Sequence, residues 1–373
     1  MAVTYRRARR AGQIPAWLVG LTVVAAVVAV LPIVAAILGG NAGKAPRTAF
    51  ASAGQGAYVV GLRAGETEDV LLAVPGESTG QAIELTRVPH IAGQVTSGAV
   101  SPDGRRVALV VAEAGTVAAP GYALLSVELE TGAVRRLAVA VDGLQTPAWA
   151  RDSESLVFTR SASVSESRVD VRFVRVPAGG GEETAVATSS KVLGAYSVGF
   201  DGAGRFLSVT IDERGSTLVR DGAELRRLGT QVTRDWRLNG DGTGIAYIES
   251  DTTGGLRYRS RLESVEPGGA GVQAQSTGNE EGQSLGVAWS PAGGVAFGRE
   301  PGATGGGAVQ AQSLAAPGFD VPLAYSPDGA ALVVQAWTGR SFADPGTMTV
   351  TVVDASGRRA IAEMTRVLGW SMR

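Results

Sequence analysis

Cysteine is absent from this chain. Disulfides, thiolate metal centres, a thiol nucleophile and a lipid-modified anchor cysteine are excluded together. Histidine occurs once, at His90. No histidine-rich metal site can form, and any imidazole chemistry rests on that residue. Lysine occurs only as Lys44 and Lys191, so arginine carries the positive charge. A basic excess is missing as well: the net charge is −1 over 373 residues. Arg6, Arg7, Arg9 and Arg10 stand in a first stretch without acids, which leaves the remainder mildly acidic. A body of that sign lacks the basic footprint of nucleic-acid binding, so no nucleic-acid partner is expected.

What is present begins with an uncharged run over residues 16–38. As a helix it covers roughly 34 Å, enough for a hydrocarbon core about 30 Å thick. The sequence predicts a membrane-spanning signal anchor over 14–38, in contact with lipid. Trp17 falls at its cytoplasmic boundary, and Pro32 introduces a kink near the outer end. The four arginines place a basic segment, 1–13, in the cytoplasm and the body on the periplasmic or extracellular side. The alternative is a cleaved signal peptide, although the run exceeds the usual apolar region of about 7–15 residues. A Gly/Ala/Pro linker, 39–47, joins the span to the rest.

The body, 48–373, repeats a turn signature. Ser101-Pro102-Asp103-Gly104 returns as Ser326-Pro327-Asp328-Gly329, and as Ser290-Pro291-Ala292-Gly293. Proline presets the second turn position, aspartate bonds its own backbone, and glycine accepts positive φ. Degenerate copies start at Ala51, Ala150 (with Asp152), Asp201 and Asn239 (with Asp241). The spacing averages about 46 residues, near the ~40–50 of a four-stranded propeller blade. An apolar run follows most turns, such as Val107-Ala108-Leu109-Val110 and Leu332-Val333-Val334. Continuous apolar runs suit strands covered on both faces. Tyr122–Leu137 and residues 348–364 each read as a further hairpin with a Gly-containing turn. A last fragment of the repeat stands at Leu368-Gly369-Trp370-Ser371, and Val367–Ser371 is expected to supply the inner strand of the first blade, with residues 56–88 supplying the others, so that no open edge remains. The predicted fold is all-β: a seven-bladed β-propeller preceded by one transmembrane helix. Eight blades are the alternative, if residues 48–52 form an inner strand of their own.

Trp289-Ser290-Pro291, Tyr325-Ser326-Pro327-Asp328-Gly329 and Val100-Ser101-Pro102-Asp103-Gly104 resemble the repeats of TolB-type and WD-like propellers. The resemblance covers 48–373 and implies a fold rather than an activity. TolB proper carries an extra N-terminal domain, where this chain has the apolar span.

Candidate chemistry is sparse. His90 precedes an inner strand and faces either the channel or a blade connection. Asp103, Asp152, Asp241 and Asp328 recur at one turn position on different blades. They read as turn-holding groups and not as a shared cation site. Trp149, Trp289 and Trp370 share an inner-strand position with Phe50, Phe200, Leu238 and Tyr325, as expected for packing between blades. Trp236 and Trp337 fall outside that register and are expected at the surface. Gly-rich stretches at 177–182, 266–283 and 300–312 read as long loops. No catalytic, metal or cofactor site is expected. The functional expectation is a membrane-anchored interaction scaffold, or an accessory subunit, that binds another membrane or envelope protein. An extracytoplasmic hydrolase or lactonase and a ligand sensor are the alternatives. The hydrolase would need convergent carboxylates in the channel.

Overall fold

Apolar runs after the repeated turns become strands, and the turns set their spacing. The structure is a computed structural model that describes residues 49–77, 80–143, 145–252, 257–267, 283–300, 318–339 and 344–373. Segments 1–13, 14–38 and 39–47, with Trp17 and Pro32, lie outside the described residues. Among the described residues, no helix is long and apolar enough to cross a membrane. The chain divides into Met1–Pro46 and Arg47–Arg373, and the architecture below is that of the second unit.

Its described strands form seven antiparallel sheets. The first holds β1 (Ala57–Arg63), β2 (Glu68–Pro75) and β3 (Ile83–Pro89). The second holds β4 (Ser97–Val100), β5 (Arg106–Thr116), β6 (Ala119–Glu128) and β7 (Val134–Val141). The third holds β8 (Ala148–Trp149), β9 (Ser155–Ser165), β10 (Arg168–Pro177) and β11 (Thr184–Val192). The fourth holds β12 (Gly194–Phe200), β13 (Phe206–Asp212), β14 (Gly215–Arg220) and β15 (Ala223–Gly229). The fifth holds β16 (Thr233–Leu238), β17 (Gly244–Asp251) and β18 (Arg257–Ser264), and the sixth pairs β19 (Gln283–Trp289) with β20 (Val295–Glu300). The seventh holds β21 (Phe319–Tyr325), β22 (Leu332–Trp337), β23 (Met348–Asp354) and β24 (Gly357–Ala360). Finally β25 (Arg366–Met372) returns to the first sheet and pairs with β1, matching Val59 with Trp370 and Tyr58 with Ser371.

The core lies between the sheets, and strand alternation builds it. Successive side chains of a strand point to opposite faces. Tyr58, Val60 and Leu62 of β1 therefore pack with Val107, Leu109 and Val111 of β5. Their neighbours Ala57 and Val59 pack the other way, on Val333, Val350 and Val352 of the seventh sheet. Ala108 and Val110 turn to Leu156 and Phe158. The same division continues through Val157 with Phe206, Leu207 with Ile245 and Ala246 with Phe297. Ala296 with Leu332 brings it back to the seventh sheet. Every seam is apolar and the last meets the first, which makes the body an all-β propeller. Burying each such aliphatic side chain is worth about 1.5–3 kcal/mol.

Several sequence expectations need correction. Residues Ala49–Ser52 form a short 3-10 helix, so no eighth inner strand arises there. Phe50 is consequently not an inner-strand aromatic. It meets Tyr58 edge-on at 5.1 Å, and the Arg373 guanidinium lies over its ring. The first turn runs from Phe50 to Ala53 rather than from Ala51, because the 3-10 helix starts earlier. Trp236 and Trp337 are half-buried, not surface groups: each lies against another ring, Tyr196 and Phe319 respectively. The hairpin after Asp354 ends as strand at Ala360, earlier than its apolar pattern suggests. Residues 178–183 are a short connection from β10 to β11, closed by Gly180 N donating to Pro177 O. The other two Gly-rich stretches lie mostly outside the described residues.

Candidate functional site

The repeated turns are held from within. Ser101 Oγ donates to Asp103 Oδ1 at 2.6 Å, and Arg105 N donates to the same oxygen at 3.0 Å. Ser326 and Ala330 treat Asp328 alike, at 2.5 and 3.0 Å. Asp152 accepts Glu154 N, Asp241 accepts Thr243 N and Oγ1, and Ser290 Oγ accepts Ala292 N. Pro102, Pro291 and Pro327 take the second turn positions, and Gly104 and Gly329 have φ of 69° and 73°. A Cβ on Gly104 would also stand 3.1 Å from Met372 N of the neighbouring sheet. The Ser326 hydroxyl holds the Asp328 carboxyl below its ordinary value, and the Thr243 hydroxyl does so for Asp241. Burial pushes Asp103 up, but its Ser101 and Arg105 donors outweigh that. These carboxylates are committed to their own turns. Among the described residues no three His, Asp or Glu side chains converge as a metal site.

The same turns connect the sheets. Asp103 N donates to Ser153 Oγ at 3.0 Å, and Ser371 Oγ donates to Gly104 O at 2.6 Å. Three tryptophans repeat one contact. Trp149 Nε1 donates to Ala99 O, Trp289 Nε1 to Arg237 O, and Trp370 Nε1 to Ala324 O, at 3.0, 2.9 and 3.2 Å. Each indole reaches the preceding sheet's inner strand at the equivalent residue.

His90 does not line the channel. It ends up at the outer end of the first sheet, its side chain 1% exposed. Its Nδ1 lies 2.8 Å from Ile91 O, which can only accept, so the proton sits on Nδ1. Its Nε2 lies 3.3 Å from Asp69 Oδ1, close enough for an ion pair but not aligned as a hydrogen bond. Asp69 also accepts Gly65 N at 3.2 Å.

The inner strands surround a central channel with a cavity of about 610 Å³. Aligning them on the repeated turns puts Ala99, Ala148, Gly199, Arg237, Ala288, Ala324 and Gly369 at one level. Six are alanine or glycine; the seventh is arginine. The sequence reading missed Arg237, although this column of small residues was there to be aligned. A register slip occurs just before this level on five inner strands, including β12, β21 and β25. Such bulges re-aim side chains, and Val198, Leu323 and Leu368 line the channel at these slips. On β16 the slip is made by Asp235, whose φ of 56° places it in the left-handed region that aspartate tolerates. Arg366 also lines the channel and donates through Nη1 to Thr96 O. Burial lowers its pKa, partly offset by the charge of Asp69. The described lining contains no aspartate or glutamate.

The two ends of the ring differ. One, the turn face, carries the repeated turns and the 3-10 helix. The other carries the connections from each second strand to the third and from each sheet to the next. Val95, Val117, Val164, Leu193, Tyr196 and Val232 all fall on this connection face, and all are exposed. Beside Leu193 and Tyr196 a second cavity of about 460 Å³ opens, bordered by Tyr122 and Val169. Tyr196 rests on Trp236, with ring centroids 5.3 Å apart.

No protein-family profile and no curated protein sequence matches the chain. Solved structures with a similar fold include puromycin hydrolase, with a TM-score of 0.52 at 17% identity over 85% of this chain and 55% of that one. Prolyl oligopeptidase B from Galerina marginata gives 0.51 at 12% identity, over 83% and 51%. TolB from Acinetobacter baumannii gives 0.48 at 16%, over 73% and 61%. The chain thus spans about half the length of the first two and less than two thirds of the third. At such identities the likeness is one of fold alone.

Proposed function

We propose that the chain is a membrane-tethered, extracytoplasmic propeller of seven blades, the β19–β20 pair counted as one, that binds a partner protein through its connection face. The observation that carries this reading is that six exposed apolar side chains lie on that face, two of them, Leu193 and Tyr196, bordering the cavity of about 460 Å³. Exposed apolar surface beside such a cleft suits the apolar side chains of a partner. The described chain begins on the turn face, at Ala49–Ser52. The uncharged run at 16–38 supplies the tether. A hydrolase reading has less support. It requires convergent carboxylates or an activated nucleophile, and the described channel lining offers neither.

Site-specific photo-crosslinking in native membranes tests the proposal. A crosslinking residue at Val164 or Leu193 is expected to give one discrete protein adduct. The same group at Val134, exposed towards the turn face, is expected to give none. Equal labelling from both faces would overturn the assignment of the face. Complete release of the protein from membranes by alkaline extraction would overturn the tether.

A further inference from the structure

We propose that the central channel is a binding site for a small organic carboxylate with a short aliphatic body, its carboxylate held by Arg237. Arg237 is the one long side chain at a level of the inner wall otherwise built of alanine and glycine. Its main chain is pinned: Trp289 Nε1 donates to its carbonyl, and its strand position pairs with Ala246. Its side chain is uncommitted. The guanidinium makes one hydrogen bond, Nη1 to Trp236 O at 3.1 Å, and joins no ion pair among the described residues. Four of its five N–H donors remain for a ligand, in the planar fork that suits a carboxylate. The adjoining carboxylate, Asp235, is engaged by Arg234 Nε at 3.1 Å and by Gly286 N at 3.3 Å. It therefore does not neutralise Arg237.

The rest of the channel fits the rest of such a ligand. Val198, Leu323 and Leu368 are brought to the wall by the strand slips and offer an apolar middle. Arg366 adds a second positive charge, and the described lining supplies no negative one. The cavity of about 610 Å³ lies within the range of small-molecule sites. A metal ion would find no carboxylate or imidazole in the described lining.

Hexanoate and its neutral isostere hexanamide are the probes, titrated calorimetrically into the full-length protein at low ionic strength. Saturable hexanoate binding is expected, at least about 10-fold tighter than hexanamide, as loss of a charge-assisted bond implies. R237A is expected to weaken hexanoate at least about 10-fold while leaving the melting temperature unchanged, because the side chain is exposed. R237K is expected to recover part of the affinity. Equal affinity for the amide, unchanged affinity in R237A, or no saturable binding would each overturn the proposal. Tighter binding of inorganic phosphate than of hexanoate would overturn the aliphatic carboxylate in favour of a simple anion site.

Discussion

Replacing Trp370 by alanine tests how the ring is held closed. Trp370 lies in β25, is 8% exposed, and packs on the apolar seam between the first and seventh sheets. Its Nε1 donates to Ala324 O across that seam. Removing a buried tryptophan ring costs about 3–5 kcal/mol. The lost hydrogen bond leaves a carbonyl without its donor, for about 1 kcal/mol more. The sum, about 4–6 kcal/mol, is a large part of a domain stability of about 5–15 kcal/mol. At roughly 2 °C per kcal/mol for a unit of this size, thermal unfolding should move down by about 8–12 °C. Trp370→Phe keeps most of the ring and isolates the hydrogen bond, so a loss of about 1–2 kcal/mol is expected. Met372→Ala, exposed in the same strand, should change stability by less than about 0.5 kcal/mol. Differential scanning fluorimetry on the three variants is the assay. A Trp370→Ala shift below about 3 °C, or one no larger than that of Met372→Ala, would refute a closure that depends on this ring.

Asp320 is fully buried and receives both terminal nitrogens of Arg358, at 2.7 and 2.8 Å. Arg358→Met strands that carboxylate and should cost about 3–5 kcal/mol, read as a lower urea midpoint at unchanged slope. His90→Leu removes the buried ring packed against Asp69, together with its Nδ1 bond to Ile91 O, and should lower the urea midpoint by the same measurement. Asp328, Asp241 and Asp354 sit below the ordinary carboxylate value because hydroxyl and backbone donors hold the charged form. Their contribution is complete above the unfolded value of 3.8 and disappears as pH falls through the lower folded values. Melting temperature should therefore fall as the pH drops below 3.8, and Asp328→Asn should make that fall shallower.

The turn residues made the ring legible because each turn is local: the donors to Asp103 and Asp328 lie two residues away. Trp370 was legible for a similar reason, since a strand fragment left over from an array has one open edge to join. The His90–Asp69 contact was not, because it joins opposite ends of a hairpin and follows from side-chain packing. Arg237 lay between these cases. Nothing near it in sequence marks it, and only comparison with the same position in six other repeats isolates it. The apolar side chains of the connection face carry no period at all. They sit in connections, or at strand ends beside them as Val164 and Tyr196 do, and the connections differ in length from sheet to sheet, so their shared location emerges only once the strands are placed. The 3-10 helix at Ala49–Ser52 escaped because its residues imitate the turn composition of the other copies.

The pairing of β25 with β1 bears on where the chain can be cut. Gly56 N and Arg373 N each donate to the other's carbonyl at 3.0 Å, so the two ends of the sheet meet like an ordinary turn waiting for a covalent link. Cutting the chain before Gly56, joining Arg373 to Gly56 through a short Gly-rich linker and opening the chain within 178–183, between β10 and β11, would shift the strand order without moving a strand. Such a circular permutant would keep the strand residues of all seven apolar seams and lose Phe50 from the first, and its new termini would lie at the outer rim, away from the channel.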